Sequence, residues 1–336
     1  MSNFYFMFLV LWVFSSQFED EIISTVDPLK CFTSRLTTSS STFFVYYCIF
    51  KHFSITGNGG VISFNNIVVN SLIRSSIFYS CSSTGIGGGI YFNCQSGGGS
   101  ILRNVCAFSC TGGNVGWETN SQFATIATSL TKINQIFFSS ISQCAPAASD
   151  SRYTTINMRF GIQSGSNVNS TNNYVYYASG FRTDSPVSCS YSFFTIANNF
   201  ASHRHCFYVL RGSGIRKLEH SNLIGNNSPY DGGIVFAIYS VVFSVSDCIF
   251  YNNLDCLFFA EASCSISVSN TVADHDYTLK SGPVSTNNIS TTFIQTWQLL
   301  NFHSHVCNTD RHITMNINRK TIFLPFLVLY VLFPFL

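Results

Sequence analysis

Short apolar runs separated by Gly- and Ser-rich turns recur along the chain, and the clearest example is Ser76 to Asn93. Its two runs, Ile77-Phe78 and Ile90-Tyr91-Phe92, consist of β-branched and aromatic residues, which favour strands. Between them, Gly87-Gly88-Gly89 permits positive φ angles and lets a neighbouring chain approach closely. Such a unit has one face to bury and nothing within itself to bury it against, so the pattern predicts stacking on further copies.

Further copies of this unit lie on both sides of it. Cys48 to Asn65 matches it without a gap, at a spacing of 28 residues (from position 48 to position 76), which is typical of solenoid repeats. A third copy, Asn222 to Phe236, has a shorter turn and is aligned on its last residue. The alignment predicts an inward-facing core ladder, Ile62, Phe64, Ile90, Phe92 and Phe236, and a set of turn glycines, Gly59, Gly60, Gly87, Gly88, Gly89, Gly232 and Gly233.

These repeats predict an all-β chain folded as a right-handed parallel β-helix, a solenoid with few or no helices apart from the terminal apolar segments. The repeat domain is expected over residues 31–275. A C-terminal cap or stalk is expected over residues 276–320, because the repeat signal is lost there. Two polar stretches inside the domain, Ala145 to Ser151 and Gly161 to Asn173, are predicted to be loops that interrupt it.

The composition suits stacked coils. Charged residues make up 10% of the 336 residues and the net charge is +2, so no nucleic acid is expected as a partner. Phe is abundant (34 residues), and Ser, Asn and Thr fill most polar positions. Uncharged side chains tolerate a like neighbour about 4.8 Å away, where stacked charges would repel. An AT-rich genome would favour the same residues, and the two explanations are compatible.

An apolar run of 11 residues, Phe4 to Phe14, is followed by Ser15-Ser16 and an acidic cluster. This length suits the hydrophobic region of a signal peptide and is too short to span a bilayer. No Lys or Arg precedes the run, which is atypical of such signals. A signal peptide over residues 1–17 is nevertheless favoured over a buried strand.

A second apolar segment, Thr321 to Leu336, follows Arg319-Lys320. It carries no charge, and as a helix it would span roughly 24 Å, less than the ~30 Å hydrocarbon core. Pro325 and Pro334 also disfavour a regular helix. The tail, residues 321–336, is typical of a GPI-attachment signal or a short membrane anchor, and a buried strand is the least favoured alternative. The membrane is therefore an expected partner through this tail, and the cell surface is the expected location.

The 13 cysteines fit a secreted chain in which some form disulfides. Free cysteines also serve as small apolar core residues, and a mixture of the two roles is expected. No Cys-x-x-Cys pair occurs, so no zinc site is expected and no cofactor is predicted.

Three Asn-x-Ser/Thr sequons mark candidate glycosylation sites, Asn169, Asn226 and Asn288. Such sequons arise by chance in a chain rich in Asn, Ser and Thr. Asn169 is the strongest candidate because it lies in a predicted loop.

Two short motifs, Gly-Gly-x-Ile and Phe-x-x-Asn, resemble the repeats of chlamydial polymorphic outer membrane proteins. The first occurs at Gly59 to Ile62 and at Gly87 to Ile90. The second is intact at Phe250 to Asn253, with Ile224 to Asn227 and Ile196 to Asn199 as variants. Similar right-handed β-helix surface proteins are encoded by trichomonad-type protists, whose composition this chain also resembles.

This resemblance covers about residues 45–270 and implies an extracellular β-helix engaged in adhesion or surface coating. In the copy at Phe78, Cys81 stands where the motif has Asn. The C-terminal pattern of autotransporters is missing, so their export route is not implied.

An enzyme acting on polysaccharides is the main rival interpretation, because such β-helices use clustered carboxylates. Asp and Glu total 15 and are mostly isolated, and the densest group is Asp274-His275-Asp276. His203-Arg204-His205 is interpreted as a basic loop, and the glycine runs lack the Lys-Ser/Thr of phosphate-binding loops. Outward aromatic residues such as Tyr91 offer stacking platforms for sugars, although β-propensity alone also explains an exposed Tyr on a strand.

The sequence therefore predicts a secreted, membrane-anchored cell-surface β-helix with a structural or adhesive role. Its expected ligand is a glycan or a cell-surface or matrix protein, and no catalytic residue is assigned. Two alternatives stay open. One is a polysaccharide lyase or hydrolase with carboxylates of successive coils within about 5–10 Å, and the other is a family member without binding function.

Overall fold

The computed structural model describes residues 35–36, 42–46, 48–65, 70–113, 120–144, 154–229, 233–254, 256–274 and 282–292. Within these ranges the chain is all-β, without a helix, and forms a parallel β-solenoid of about 7 turns. Strands of successive coils pair in parallel through their backbones. The prediction of a parallel β-solenoid is therefore confirmed.

Twenty-seven strands make up the described coils, and most are short because each coil turns several corners. They are β1 (Thr42–Tyr46), β2 (Ile49–Lys51), β3 (Ser54–Ile55), β4 (Ile62–Asn65), β5 (Asn70–Arg74), β6 (Ile77–Tyr79), β7 (Ser82–Ser83), β8 (Ile90–Asn93), β9 (Gly99–Arg103), β10 (Cys106–Phe108), β11 (Ser121–Ala127), β12 (Ile133–Ser142), β13 (Thr154–Arg159), β14 (Ile162–Thr171), β15 (Tyr174–Val175), β16 (Ala178–Asp184), β17 (Ser188–Ala197), β18 (Phe200–Ala201), β19 (His205–Leu210), β20 (Arg216–Glu219), β21 (Asn222–Ile224), β22 (Val235–Ile238), β23 (Val242–Ser246), β24 (Ile249–Tyr251), β25 (Phe258–Ala260), β26 (Ser265–Ala273) and β27 (Val284–Ser290).

Two large sheets run along the solenoid. The 8-stranded sheet takes one strand from each coil, in the order β4, β8, β11, β13, β16, β19, β22 and β25. The 15-stranded sheet contains the remaining strands except two small pairs, β3 with β7 and β15 with β18. Its last strand along the chain, β27, pairs with β26.

Side chains that alternate along the strands fill the interior between the sheets. In the 8-stranded sheet, Ile62 pairs with Ile90 and Phe64 with Phe92, and all four are buried in one continuous core. The rings of Phe64 and Phe92 have centroids 6.4 Å apart, in an edge-to-face arrangement that aromatic pairs prefer. This register equals that of the gapless alignment of the first two copies.

Phe236 does not continue this ladder, and the alignment that placed it there is wrong by one residue. It pairs with Tyr208, whereas its neighbour Val235 pairs with the buried Phe207. Since adjacent residues of a strand point to opposite faces, the one-residue shift puts Phe236 on the outer side of the sheet. There it packs in a separate cluster with Tyr208 and Ile238. The shorter turn of the third copy hides this shift in the sequence.

A residue with left-handed backbone bends the 15-stranded sheet in each coil. Nine such residues have φ between 48° and 57°, and they are stacked in register along the solenoid. Most are Asn, Asp or Ser, whose short polar side chains tolerate this conformation. They are Ser75, Asn104, Phe138, Asn167, Phe193, His220, Asp247, Asn270 and Asn288.

The loop expected at Gly161 to Asn173 is wrong. Most of this stretch is β14, which pairs with β12 on one side and with β17 on the other. Its Gly, Ser and Asn residues suggest turns, but in the solenoid they occupy strand and corner positions. The loop predicted at Ala145 to Ser151 lies outside the described residues. Further along, β27 lies within the stretch predicted as a cap or stalk and extends the parallel pairing by one strand.

Candidate binding site

The Asn of the Phe-x-x-Asn motif is buried inside the solenoid. It lies at a second corner of the coil, directly after another residue with positive φ, such as Asn198 (53°) before Asn199. Asn199 Nδ2 donates to the backbone O of Ser170 in the preceding coil (2.8 Å). Its Oδ1 accepts hydrogen bonds from N and Nδ2 of Asn173 (2.9 and 3.0 Å). Asn226 and Asn253 repeat this arrangement in the following coils. The motif therefore pairs buried backbone groups of the corner, a structural task.

Cysteines take the same position in earlier coils. The Sγ atoms of Cys81 and Cys110 each lie 3.5 Å from a carbonyl O of the preceding coil, those of Phe50 and Phe78. Burial raises the pKa of the Cys110 thiol, so this group stays protonated and can donate. These thiols therefore replace the Asn amide at the corner.

Ten described cysteines form no disulfide, and all ten are buried. They have the role of small core residues that the sequence analysis expects for part of the cysteines. No disulfide joins two cysteines within the described ranges. Cys106 is not one of these ten.

The prediction of a glycosylation site at Asn226 is wrong. Its side chain is fully buried, and its Nδ2 donates to the backbone O of Ile196 (2.8 Å). A glycan cannot be carried there while the coil is formed. The Phe-x-x-Asn variant predicted at Ile224 to Asn227 is also placed one residue too late. Leu223 pairs with Phe250, so the stretch equivalent to the intact motif is Leu223 to Asn226.

The two other sequons lie on strands. Asn169 is half-buried in β14 and not in a loop. Asn288 is exposed in β27, where its Nδ2 donates to Oδ1 of Asn270 (3.0 Å). Both stay candidates for modification.

The turn glycines meet two different demands. Gly59 and Gly87 have φ of 69° and 73°, a conformation that favours Gly. Gly60 and Gly88, which follow them, lie against neighbouring backbone, and a Cβ on Gly60 would lie 2.6 Å from the carbonyl O of Ser82. The others are Gly89 and Gly233, where a Cβ would come within 3.0 Å of another residue, and Gly232, which lies outside the described residues.

Three neighbouring strands of the 8-stranded sheet, β16, β19 and β22, present large side chains on its outer side. Arg182 pairs with Tyr208, and Tyr208 pairs with Phe236. The preceding residues, Phe181 and Phe207, belong to the core. Because side chains alternate along a strand, Arg182 and Tyr208 face outward.

A cavity of about 170 Å³ lies at this outer row, and we call it the arginine–tyrosine groove. Leu210 and Ile238, which pair in register, contribute apolar surface and pack with the ring of Tyr208. The groove thus combines an apolar surface with charged and hydroxyl groups. Its lining residues are Tyr177, Arg182, Arg204, Tyr208, Leu210, Ile238 and Tyr239.

Three arginines in or beside the groove each lie over a tyrosine ring. The distances from guanidinium Cζ to ring centroid are 5.3 Å for Arg182 over Tyr208, 4.9 Å for Arg204 over Tyr177, and 4.9 Å for Arg211 over Tyr239. Such stacking holds a planar cation in place while the edge of the guanidinium can donate hydrogen bonds. The arrangement favours a ligand that accepts hydrogen bonds.

The turns that lead into β16 and β19 form one edge of the groove. Tyr177 and Arg204 directly precede these strands, and His205 N donates to the carbonyl O of Tyr177 (2.7 Å). His203 stacks on Tyr176 with centroids 4.5 Å apart. Of residues 203–205, which the sequence analysis interprets as a basic loop, Arg204 therefore lines the groove.

The charges near the groove are unequally compensated. Asp184 Oδ2 lies 3.1 Å from Arg159 Nε and 3.3 Å from Arg182 Nη2, so this carboxylate is shared by two arginines. No described carboxylate forms an ion pair with Arg204 or Arg211. Burial raises the pKa of Tyr208, opposed by the nearby arginines, so its hydroxyl stays protonated at neutral pH.

The structure does not bring the other predicted features into this site. Tyr91 lies three strands away from β16 in the sheet order, and its hydroxyl accepts a hydrogen bond from Asn93 (3.2 Å). No group of three or more His, Cys, Asp or Glu that could hold a metal occurs within the described ranges. His275 and Asp276 lie outside them, as do the predicted signal peptide and tail.

Arg182, Tyr208 and Tyr239 were missed by the sequence reasoning. The signal that could have found them is the repeat itself, since Arg182 and Tyr208 occupy equivalent positions in successive coils.

Comparison with known proteins returns no match, whether to family models, to curated proteins or to solved structures. In the part of the chain that the structure describes, no helix is long and apolar enough to cross a membrane.

Proposed function

We propose that this chain is a secreted, membrane-anchored cell-surface protein whose solenoid has an adhesive or structural role. The main support for this proposal is the arginine–tyrosine groove, a concave site on the outer side of the sheet that combines apolar and polar side chains. Sugar binding suits it, since Leu210 and Ile238 offer apolar surface and the arginines offer donors held in place by the tyrosine rings. The ligand would be a glycan on a host cell or in its matrix.

Two further observations support this role. The parallel solenoid is the fold that the resemblance of its Gly-Gly-x-Ile motifs to polymorphic outer membrane protein repeats implies. The only carboxylate that contacts a groove residue at ion-pair distance among the described residues, Asp184, is held by Arg159 and Arg182. Because its Oδ2 is occupied by two guanidinium groups, we interpret Asp184 as a structural partner of these arginines, which favours binding over hydrolysis.

Surface display is tested by labelling an epitope on intact cells that express the full chain. The epitope belongs in the turn Ser129 to Lys132, where Leu130 is 56% exposed, and not in Gly161 to Asn173, where it would disrupt β14. We expect antibody signal on unpermeabilised cells. Signal that requires permeabilisation would contradict the proposal, and a cytosolic protein carrying the same epitope provides the control.

A further inference from the structure

We propose that the arginine–tyrosine groove binds one acidic sugar residue, whose carboxylate or sulfate is held by Arg204. This inference rests on the proposed function and adds the chemical class of the ligand. It is carried by the charge of the groove, by the stacked state of Arg204 and by the size of the cavity.

The charge balance of the groove favours an anion. Four arginines and two carboxylates lie in or beside it, which leaves two positive charges, as many as the net charge of the whole chain. This local excess of positive charge favours the binding of an anion. The residues counted are Arg159, Arg182, Arg204, Arg211, Asp184 and Glu261.

Arg204 is the arginine best placed to hold the anion. It lines the groove, is partly exposed, and has no ion pair among the described residues, whereas Arg182 is paired with Asp184. Glu261 interacts with this charge, since Arg204 opposes the increase in the pKa of Glu261 that burial causes. The ring of Tyr177 fixes the guanidinium plane, so less freedom is lost when two parallel hydrogen bonds form to a carboxylate or sulfate.

The dimensions of the groove suit one ring. A cavity of about 150 Å³ accommodates a benzene-sized molecule, so a groove of about 170 Å³ admits a single sugar ring. Leu210 and Ile238 offer apolar contact to the C–H face of such a ring. The protonated hydroxyl of Tyr208 adds a donor for a ring hydroxyl.

A nucleic acid fits these features less well. Its backbone presents a charge at every nucleotide, and proteins that bind it neutralise several phosphates along a track. Among the arginines counted, only Arg182 and Arg204 line the cavity, and Arg182 is paired with Asp184. A saccharide with isolated acidic groups matches that distribution better.

The test is binding of short saccharides to the purified full chain, measured by isothermal titration calorimetry. Four probes of matched length are used: a uronate oligosaccharide, a sulfated oligosaccharide, the uncharged parent oligosaccharide and a single-stranded oligonucleotide. At least one acidic saccharide should bind at least ten-fold more tightly than the uncharged parent, and rising salt should weaken its binding. The uronate and sulfated arms identify which anion is recognised.

The decisive variant is Arg204→Gln, which removes the charge and the fork of donors. Affinity for the acidic saccharide should fall roughly ten-fold or more, the change expected when a charge-assisted hydrogen bond is lost. Arg204→Lys keeps the charge but not the planar fork and should retain an intermediate affinity. The matched control is Arg103→Gln, which removes an arginine that lies over Phe138 in the 15-stranded sheet and should bind like wild type.

Other results would overturn the inference. Equal binding of the uncharged parent would refute the acidic ligand and leave glycan adhesion standing. Binding of the oligonucleotide as tightly as the acidic saccharide would show that charge alone is recognised. If no saccharide binds, both the inference and the role of the groove in glycan adhesion fail. Urea unfolding of each variant shows whether a loss of binding reflects a loss of folding, and Tyr177→Leu serves as a second variant if Arg204→Gln unfolds.

Discussion

At the scale of single residues, one buried position explains why asparagine recurs in the repeats. The amide of Asn199 has both a donor and an acceptor, and it uses them on Ser170 and Asn173 in the coil before its own. A thiol at this position, as in Cys81, makes the bond to the preceding carbonyl but is a weak acceptor. Asn and Cys are thus alternative solutions to the same corner.

Replacing Asn199 by Ala should therefore destabilise the chain strongly. The change leaves the backbone N of Asn173 and the O of Ser170 buried without their partner, at a cost of about 2–4 kcal/mol in the free energy of unfolding. Asn199→Cys should cost less, because the thiol keeps the bond to the carbonyl. Urea unfolding of the full chain measures both variants.

Asn65→Ala serves as the control for this pair. Asn65 is exposed at the end of β4, so its loss should change the free energy of unfolding by no more than about 0.5 kcal/mol. An Asn199→Ala variant as stable as the Asn65→Ala variant would show that the buried amide ladder does not hold the corners.

At the scale of the strands, the sequence predicts the strand register of the coils that carry glycine turns. It does not predict the register of the coils without them. The pairing of Ile62 with Ile90 follows from the gapless copies, because equal turn lengths preserve the register. Between β12 and β17 the bends use Phe138, Asn167 and Phe193, so no Gly or Pro marks them. A polar strand such as β14 then resembles a loop.

The candidate site could be predicted only in part, for a related reason. His203-Arg204-His205 is visible as a basic cluster, but its aromatic partners lie a full coil earlier in the chain. Tyr177 and Arg204 are 27 positions apart and become neighbours only when β16 pairs with β19. Such contacts depend on the register of the stacked coils. The sequence does not reveal this register where turn lengths differ, and the misplaced Phe236 is an example.

At the scale of the whole molecule, buried thiols link stability to alkaline pH. Burial raises the pKa of Cys48 to about 11 and those of Cys189 and Cys248 to about 12, against an ordinary value of 9.0. In the unfolded chain these groups lose their protons first, so the unfolded state gains stability from ionisation above about pH 9. The free energy of unfolding should hold below that pH and decline as pH rises toward 11–12.

Urea unfolding between pH 7 and pH 11 measures this decline, and Cys248→Ser is the matched variant. Ser221 has the equivalent place in the preceding coil, where its Oγ donates to the O of Glu219 (2.7 Å), as Cys248 Sγ does to the O of Ser246 (3.2 Å). Ser keeps this bond without titrating, so the variant should show a shallower decline. An identical slope would mean that the Cys248 thiol does not contribute.

We propose above all that the solenoid is an adhesive surface protein. The measurement that tests it most directly is the attachment of beads coated with the full chain to cells in culture, with beads carrying Arg204→Gln and beads carrying an unrelated protein of similar size. We expect coated beads to attach above the unrelated control and soluble protein to compete with them, while Arg204→Gln reduces attachment. Attachment no greater than that of the unrelated protein would contradict the adhesive role.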